Sequence, residues 1–195
     1  KAFLQMLERL AMPLNSYGLD LAEHCISSEV IREKVLAEHR KYLSLLNKDI
    51  TASLKTAPQD MSDGEKLLRH ILEPYKGKLV LLDVWGTWCV PCKMALAHSK
   101  EEFERLAPYD VVYLYMASSS PEESWKNIIK LNNLVGDNIA HYNLPAAQQR
   151  AIENYLNIHS FPSYRLFDKE GNLVDVKVDA RQLDNLEKII KELNR

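Results

Sequence analysis

Two cysteines two residues apart, Cys89-Val90-Pro91-Cys92, are the groups in this sequence best suited to act on another molecule. They stand where an apolar run gives way to a helical pattern. Leu79-Val80-Leu81-Leu82 reads as a buried strand, and Lys93 to Leu106 repeats Leu96, Phe103 and Leu106 at helical spacing until Pro108. The reactive form of cysteine is the thiolate, and a helix start offers unpaired N–H groups and a positive dipole end. In such motifs a cysteine pKa falls from ~8.5 to roughly 3.5–7.5. Cys89 is therefore expected to be the exposed nucleophile. Cys92, one turn further in, is close enough to pair with it. Pro91 suits the first turn, where a missing N–H is not felt.

Two plainer readings compete. A structural zinc site needs four ligands, whereas the chain has three cysteines in all and no second pair spaced to join them. A purely structural disulfide over so short a span would close a tiny loop and restrain little of the unfolded chain. The redox reading is preferred. Asp83 adds to it, because a carboxylate inside a buried strand is costly unless paired or protonated, and its pKa should rise.

The run Trp88-Cys89-Val90-Pro91-Cys92-Lys93, behind an apolar strand with an embedded acid, resembles the thioredoxin superfamily. Gly77-Lys78 through Trp85-Gly86-Thr87-Trp88 resembles its extracytoplasmic TlpA-like branch of thiol–disulfide oxidoreductases. The resemblance implies an α/β thioredoxin fold, a mixed central sheet flanked by helices, here with an N-terminal helical extension. It implies that Pro162, in Ile158-His159-Ser160-Phe161-Pro162-Ser163-Tyr164, is cis and faces the cysteines. An X–Pro bond is cis only ~5–6% of the time in folded proteins, so that expectation rests on the resemblance. Such a loop exposes main-chain groups to an extended peptide, as in strand addition. Trp88, Val90, Pro91, Phe161 and Pro162 are the substrate-binding residues expected. Cys89, Cys92 and Asp83 are the catalytic ones, with Asp83 handling the proton of Cys92.

The same resemblance favours reduction of protein disulfides, with a disulfide or dithiol protein as substrate, a redox partner protein, and neither cofactor nor metal. It implies an extracytoplasmic place, in the bacterial periplasm or envelope. Two departures stand out: Ala97 replaces a proline common one turn past the second cysteine, and Ala95 replaces a glutamate some TlpA-like members carry. Asp83 is thus left as the only candidate acid. The competing class is a non-catalytic or copper-handling module using the two cysteines and a histidine, although copper handlers on this fold space their cysteines one residue further apart. The six histidines show no ligand spacing and read as surface or core residues; His159 lies nearest Pro162.

The elements that must position these residues can be read in turn. Phe3, Leu4, Leu7, Leu10 and Ala11 share a helical face ended by Met12-Pro13, and Leu19 to Cys25 suggests a short helix. Ser28 caps a long helix carrying Ile31, Val35, Tyr42, Leu46 and Ile50. Residues 1–57 are read as a helical extension or the end of a preceding module, Lys55 to Asp60 as a linker, and 62–195 as the thioredoxin-like domain. Within that domain a helix follows Ser62-Asp63, and Val111 to Ala117 is a second buried strand parallel to the first. A helix from Pro121, a strand over Ile139 to Leu144 and a helix over Ala146 to Leu156 follow. Tyr164 to Phe167 and Leu173 to Val178 form a hairpin, and a helix with Leu183, Leu186, Ile189, Ile190 and Leu193 closes the chain. Cys25 reads as a small buried hydrophobe.

Length and composition bound the rest. With 195 residues the chain holds one ordinary domain plus an addition. Its 25 basic and 27 acidic residues suggest no nucleic-acid partner, and 46% hydrophobic residues mark a globular composition. No apolar run approaches the ~20 residues of a membrane span. The sequence opens at Lys1 inside a helical pattern and is read as a fragment, so any signal peptide or lipid-anchor cysteine would lie outside it.

Overall fold

The computed structural model describes residues 13–194, and the helical face read over Phe3 to Ala11 lies outside them. Among these residues a five-stranded sheet runs in the order β1(Leu54–Lys55), β4(Ile139–Tyr142), β3(Val111–Ala117), β2(Leu79–Trp85), β5(Ser163–Phe167). The first four are parallel neighbours and β5 is antiparallel to β2. β2 and β3 are buried on both faces, which is why they read as unbroken apolar runs.

Alternation along β2 sorts the molecule into two layers. Val80, Leu82 and Val84 face α3(Gly64–Leu72) and α7(Ala146–Tyr155), in a core with Leu68, Ile71 and Ile152. Gly64 lets those helices close on each other, since a Cβ there would lie 2.1 Å from the Ala151 carbonyl oxygen. Leu79, Leu81 and Trp85 face the other layer with Cys89, Cys92, Leu96, Leu106, Trp125, Leu186 and Ile190. Its helices are α4(Val90–Leu96), α5(Ser99–Leu106), α6(Glu122–Leu131) and α8(Leu183–Leu193). Asp83 falls on this second face by its place in the alternation.

The N-terminal part forms α1(Ser16–Cys25) and α2(Glu29–Leu46), packed on each other around Ala22 and Val35. It is tied to α6 where Lys130 Nζ donates to the Leu46 carbonyl at 2.9 Å. Cys25, the last residue of α1, is exposed rather than buried.

Three expectations change. Leu54–Lys55, at the start of the stretch read as a linker, pairs with His141 and Tyr142 as the edge strand of the sheet. A two-residue strand carries no periodicity to read. The helix expected over Lys93 to Leu106 is two helices, broken at Ala97 and His98, without the proline that would announce a break. Leu173 to Val178 makes only a bridge from Leu173 to Phe167 and one bond from the Val174 N–H to Leu166 before leaving the ladder. Leu173 and Val176 there are 46% and 43% exposed, while Val174 and Val178 pack on the core without extending the ladder.

Candidate active site

The end of β2 passes into α4 through Gly86-Thr87-Trp88-Cys89, a segment pinned from the loop after β3. The Thr87 N–H donates to Ser120 Oγ at 3.0 Å, and the Trp88 indole N–H to the Ser118 carbonyl at 3.0 Å. The indole lies so close that a Cβ on Gly86 would meet it at 2.7 Å. Cys89 caps α4, and Pro91 occupies its first turn. Cys89 and Cys92 form a disulfide with Cα atoms 5.3 Å apart. The Cys92 N–H points at Cys89 Sγ from 3.2 Å.

Cys89 is 4% exposed and Cys92 1%, so the expectation of an exposed Cys89 is not met in this oxidised form. Trp88, 53% exposed, and half-buried Phe161 stand over it, their rings edge to face at 5.3 Å. Val90 and Pro91 are exposed on the same side. The Phe161–Pro162 peptide is cis. Trp88 and Phe161 thus meet in space, as an apolar rim beside the disulfide. Lys93 is exposed, His98 is exposed at the rim of the cavity that Asp83 lines, and His159 is exposed, held by Asn157 at 2.7 Å. His141 is a core residue, its Nε2 2.8 Å from the Leu134 carbonyl, and burial lowers its pKa to about 4.

Asp83 lies on the sheet face turned toward the layer that holds the cysteines. Its register partners are Tyr115 on β3 and Tyr164 on β5, so the three side chains share one face of the sheet. Asp83 is 8% exposed and its Oδ1 has no hydrogen-bond partner. Burial, and then the negative charge of Asp179, raise its pKa to about 8, with Arg181 opposing. Asp179 and Arg181 pair with each other at 2.7 Å, so little of the guanidinium charge is left for Asp83. The Tyr164 hydroxyl is likewise buried without a partner, while that of Tyr115 is hydrogen-bonded to Ser99.

Sequence reasoning missed Glu102. It lies on α5 with Ser99 one turn before and Leu106 one turn after, both buried, and lines the same cavity as Asp83. Burial, and then the charge of Asp83, raise its pKa to about 8. The reading that Asp83 is the only candidate acid is therefore corrected. The signal was present: an acid three residues after Ser99 and four before Leu106 stands in the inward row of the helix. Among the described residues no group of three or more His, Cys, Asp or Glu could hold a metal ion, and no helix is long and apolar enough to cross a membrane.

Residues 77–173 match the family described as thioredoxin-like. The thiol-disulfide oxidoreductase ResA of Geobacillus kaustophilus is 24% identical over 138 residues, which cover 71% of this chain and 76% of that protein. The thioredoxin-like protein YneN of Bacillus subtilis is 28% identical over 142 residues, covering 69% and 72%. Among solved structures, a thiol:disulfide interchange protein of the thioredoxin family from Chlorobium tepidum superposes with a TM-score of 0.53 at 21% identity, covering 64% of this chain and 85% of that one. That last likeness is one of fold.

Proposed function

We propose a reaction course for a chain that belongs to the thioredoxin-like family and is a thiol–disulfide oxidoreductase: it reduces protein disulfides, with Cys89 as nucleophile and Cys92 as resolving thiol. The observation that carries this is the Cys89–Cys92 pair at the start of α4, with a rim of Trp88 and Phe161 beside it and the buried Asp83 on the sheet face turned toward its layer. In the dithiol form the Cys89 thiolate is favoured by the N–H of Cys92, which already points at its sulfur. It attacks one sulfur of a substrate disulfide, and the other leaves as a thiolate that takes a proton from water. Cys92 then gives its proton to Asp83 and attacks Cys89 Sγ. The bond to substrate breaks, and the second substrate thiol is released.

The reacting peptide lies extended along Phe161-Pro162, with Val90 and Pro91 completing its contact surface. A dithiol partner protein returns the electrons. We place the chain outside the cytoplasm, where disulfide substrates persist. Residues 62–195 are the redox unit, and the helices within 1–57 are an extension that supplies the edge strand β1.

Cys92→Ser should accumulate a mixed disulfide through Cys89 with a disulfide peptide, and Cys89→Ser should accumulate none. Intact mass spectrometry reads both. Equilibration with thiol buffers should give a potential nearer the about −270 mV of a reducing thioredoxin than the about −120 mV of a strong oxidant. Adducts on Cys89→Ser, or an oxidising potential with no reduction of insulin, would overturn the assignment.

A further inference from the structure

A cavity of about 710 Å³ opens between α5 and the start of α8. Asp83 and Tyr164 form part of its sheet wall. Both carry a buried oxygen with no partner, although such groups are ordinarily satisfied. Ser99, Glu102 and Arg105 line it from α5, and Arg181, Leu183 and Asp184 from the other side. Arg105 is committed elsewhere, to Glu187 at 2.7 Å and to Asp184. Arg181 is held by Asp179. Neither cation is therefore a free counter-ion for the acids inside.

We infer that Glu102 is the outer member of a two-carboxyl relay, taking the proton of Cys92 from Asp83 and releasing it to solvent through this cavity. The inference rests on the reading of Asp83 as the acceptor for Cys92. Two carboxyls facing one cavity without a free counter-ion do not both ionise readily. In the relay they titrate as a pair, and the negative charge of Asp83 raises the pKa of Glu102. In the relay Cys92 loses its proton to the Asp83 carboxylate while its sulfur attacks Cys89 Sγ. The bond from Cys89 to substrate breaks with its electron pair, and the leaving thiolate is protonated by solvent. Asp83 then passes its proton to Glu102, half-buried at the cavity's outer side, and Glu102 gives it to water. No oxidant or reductant beyond the substrate disulfide and the enzyme dithiol takes part.

Glu102 does not touch the reacting sulfurs, so it acts through Asp83. Its test must separate proton relay from support of the fold. The groups that face the two acids are Tyr115 from β3, Tyr164 from β5, Asp179 and Arg181 before α8, Asp184 on α8, and His98, Glu101 and Arg105 from the α4–α5 side; Tyr113 is coupled to Glu102. None of them changes in Glu102→Gln. Stopped-flow measurement of mixed-disulfide formation and decay, from pH 5 to 9, is the experiment. Glu102→Gln should leave formation unchanged and slow decay by about tenfold, short of the ~10²–10⁴-fold that direct general-base catalysis supplies. The pH profile of decay should lose one of two ionisations, and Glu102→Asp should restore it.

Asp83→Asn serves as the reference. If it slows decay and Glu102→Gln does not, the relay falls and the acceptor role of Asp83 stands. If Asp83→Asn leaves decay untouched, both fall. Equal losses in formation and decay for Glu102→Gln would mark it as structural and overturn the relay. Carboxyl-carbon NMR on the oxidised protein gives a second reading that needs no catalysis. Asp83 should titrate in two coupled steps in the wild type and in one step in Glu102→Gln; an identical curve in both would overturn the inference.

Discussion

Asp83→Asn should stabilise the oxidised protein, and by an amount that grows with pH. The folded-state pKa is raised from 3.8 to about 8 by burial. Below pH 4 the carboxyl is neutral in both folded and unfolded chains and contributes nothing to the difference. From pH 4 to 8 the unfolded chain ionises and the folded one does not, so stability falls by about 1.4 kcal/mol for each pH unit. At pH 7 that amounts to roughly 4 kcal/mol as an upper bound. The asparagine and the neutral carboxyl leave a like polar group unpartnered in the same place, so that cost cancels between the two proteins. A gain of up to ~4 kcal/mol corresponds to about 8–16 °C in Tm for a chain of this size. Calorimetry of wild type and Asp83→Asn at pH 4, 6 and 8, with the disulfide intact so that Cys89 and Cys92 do not titrate, reads the effect. The Tm difference should be near zero at pH 4 and largest at pH 8. A difference independent of pH, or one that shrinks as pH rises, would refute a neutral buried acid and mean that Asp83 is ionised with a partner.

Alkylation should label Cys25 alone in the oxidised protein, since it is the free, exposed thiol. After reduction Cys89 should react faster than Cys25 at pH 6, and mass mapping that found Cys25 ahead would contradict a lowered pKa at Cys89. Gly86→Ala should push the Trp88 indole off the Ser118 carbonyl, because the new Cβ would sit 2.7 Å from the ring. Loss of that hydrogen bond, worth about 1 kcal/mol, should raise KM for a peptide disulfide about fivefold with little change in kcat. An unchanged KM would mean that Trp88 does not meet the substrate.

What was legible followed from local chemistry. β2 and β3 could be read because a strand buried on both faces is an unbroken apolar run, and α3 because Asp63 caps it by accepting from the Lys66 N–H at 2.8 Å. The cysteine pair was legible from its spacing at the start of a helix, whereas the cis bond before Pro162 was legible only through a resemblance. The rest depends on tertiary partners. β1 is two residues whose strand character exists only beside β4. The segment after Leu173 has the alternation of a strand and buries Val178, yet leaves the ladder after the Val174 N–H bond to Leu166. Trp88, next to Cys89 in sequence, meets Phe161 from a distant part of the chain, a contact no spacing reveals. Glu102 looked like one more charge on a polar helix face until the break at Ala97 and His98 set α5 against Asp83.

In the relay proposed above Glu102 acts by way of Asp83, which lies on the sheet face turned toward the layer that holds the cysteines. The pKa of Asp83 then decides how well the transfer runs. An ordinary carboxyl at ~3.9 facing a thiol at ~8.5 would make proton removal uphill by about 6 kcal/mol. Raised to about 8, Asp83 is nearly matched to the thiol, and the proton moves either way at little cost. A matched acceptor favours neither oxidation nor reduction; it lowers the barrier to both and leaves direction to the potential of the Cys89–Cys92 pair. The same burial that destabilises the folded chain above pH 4 is thus what fits Asp83 to serve a thiol, and a paired, fully ionised aspartate in its place would be more stable and slower.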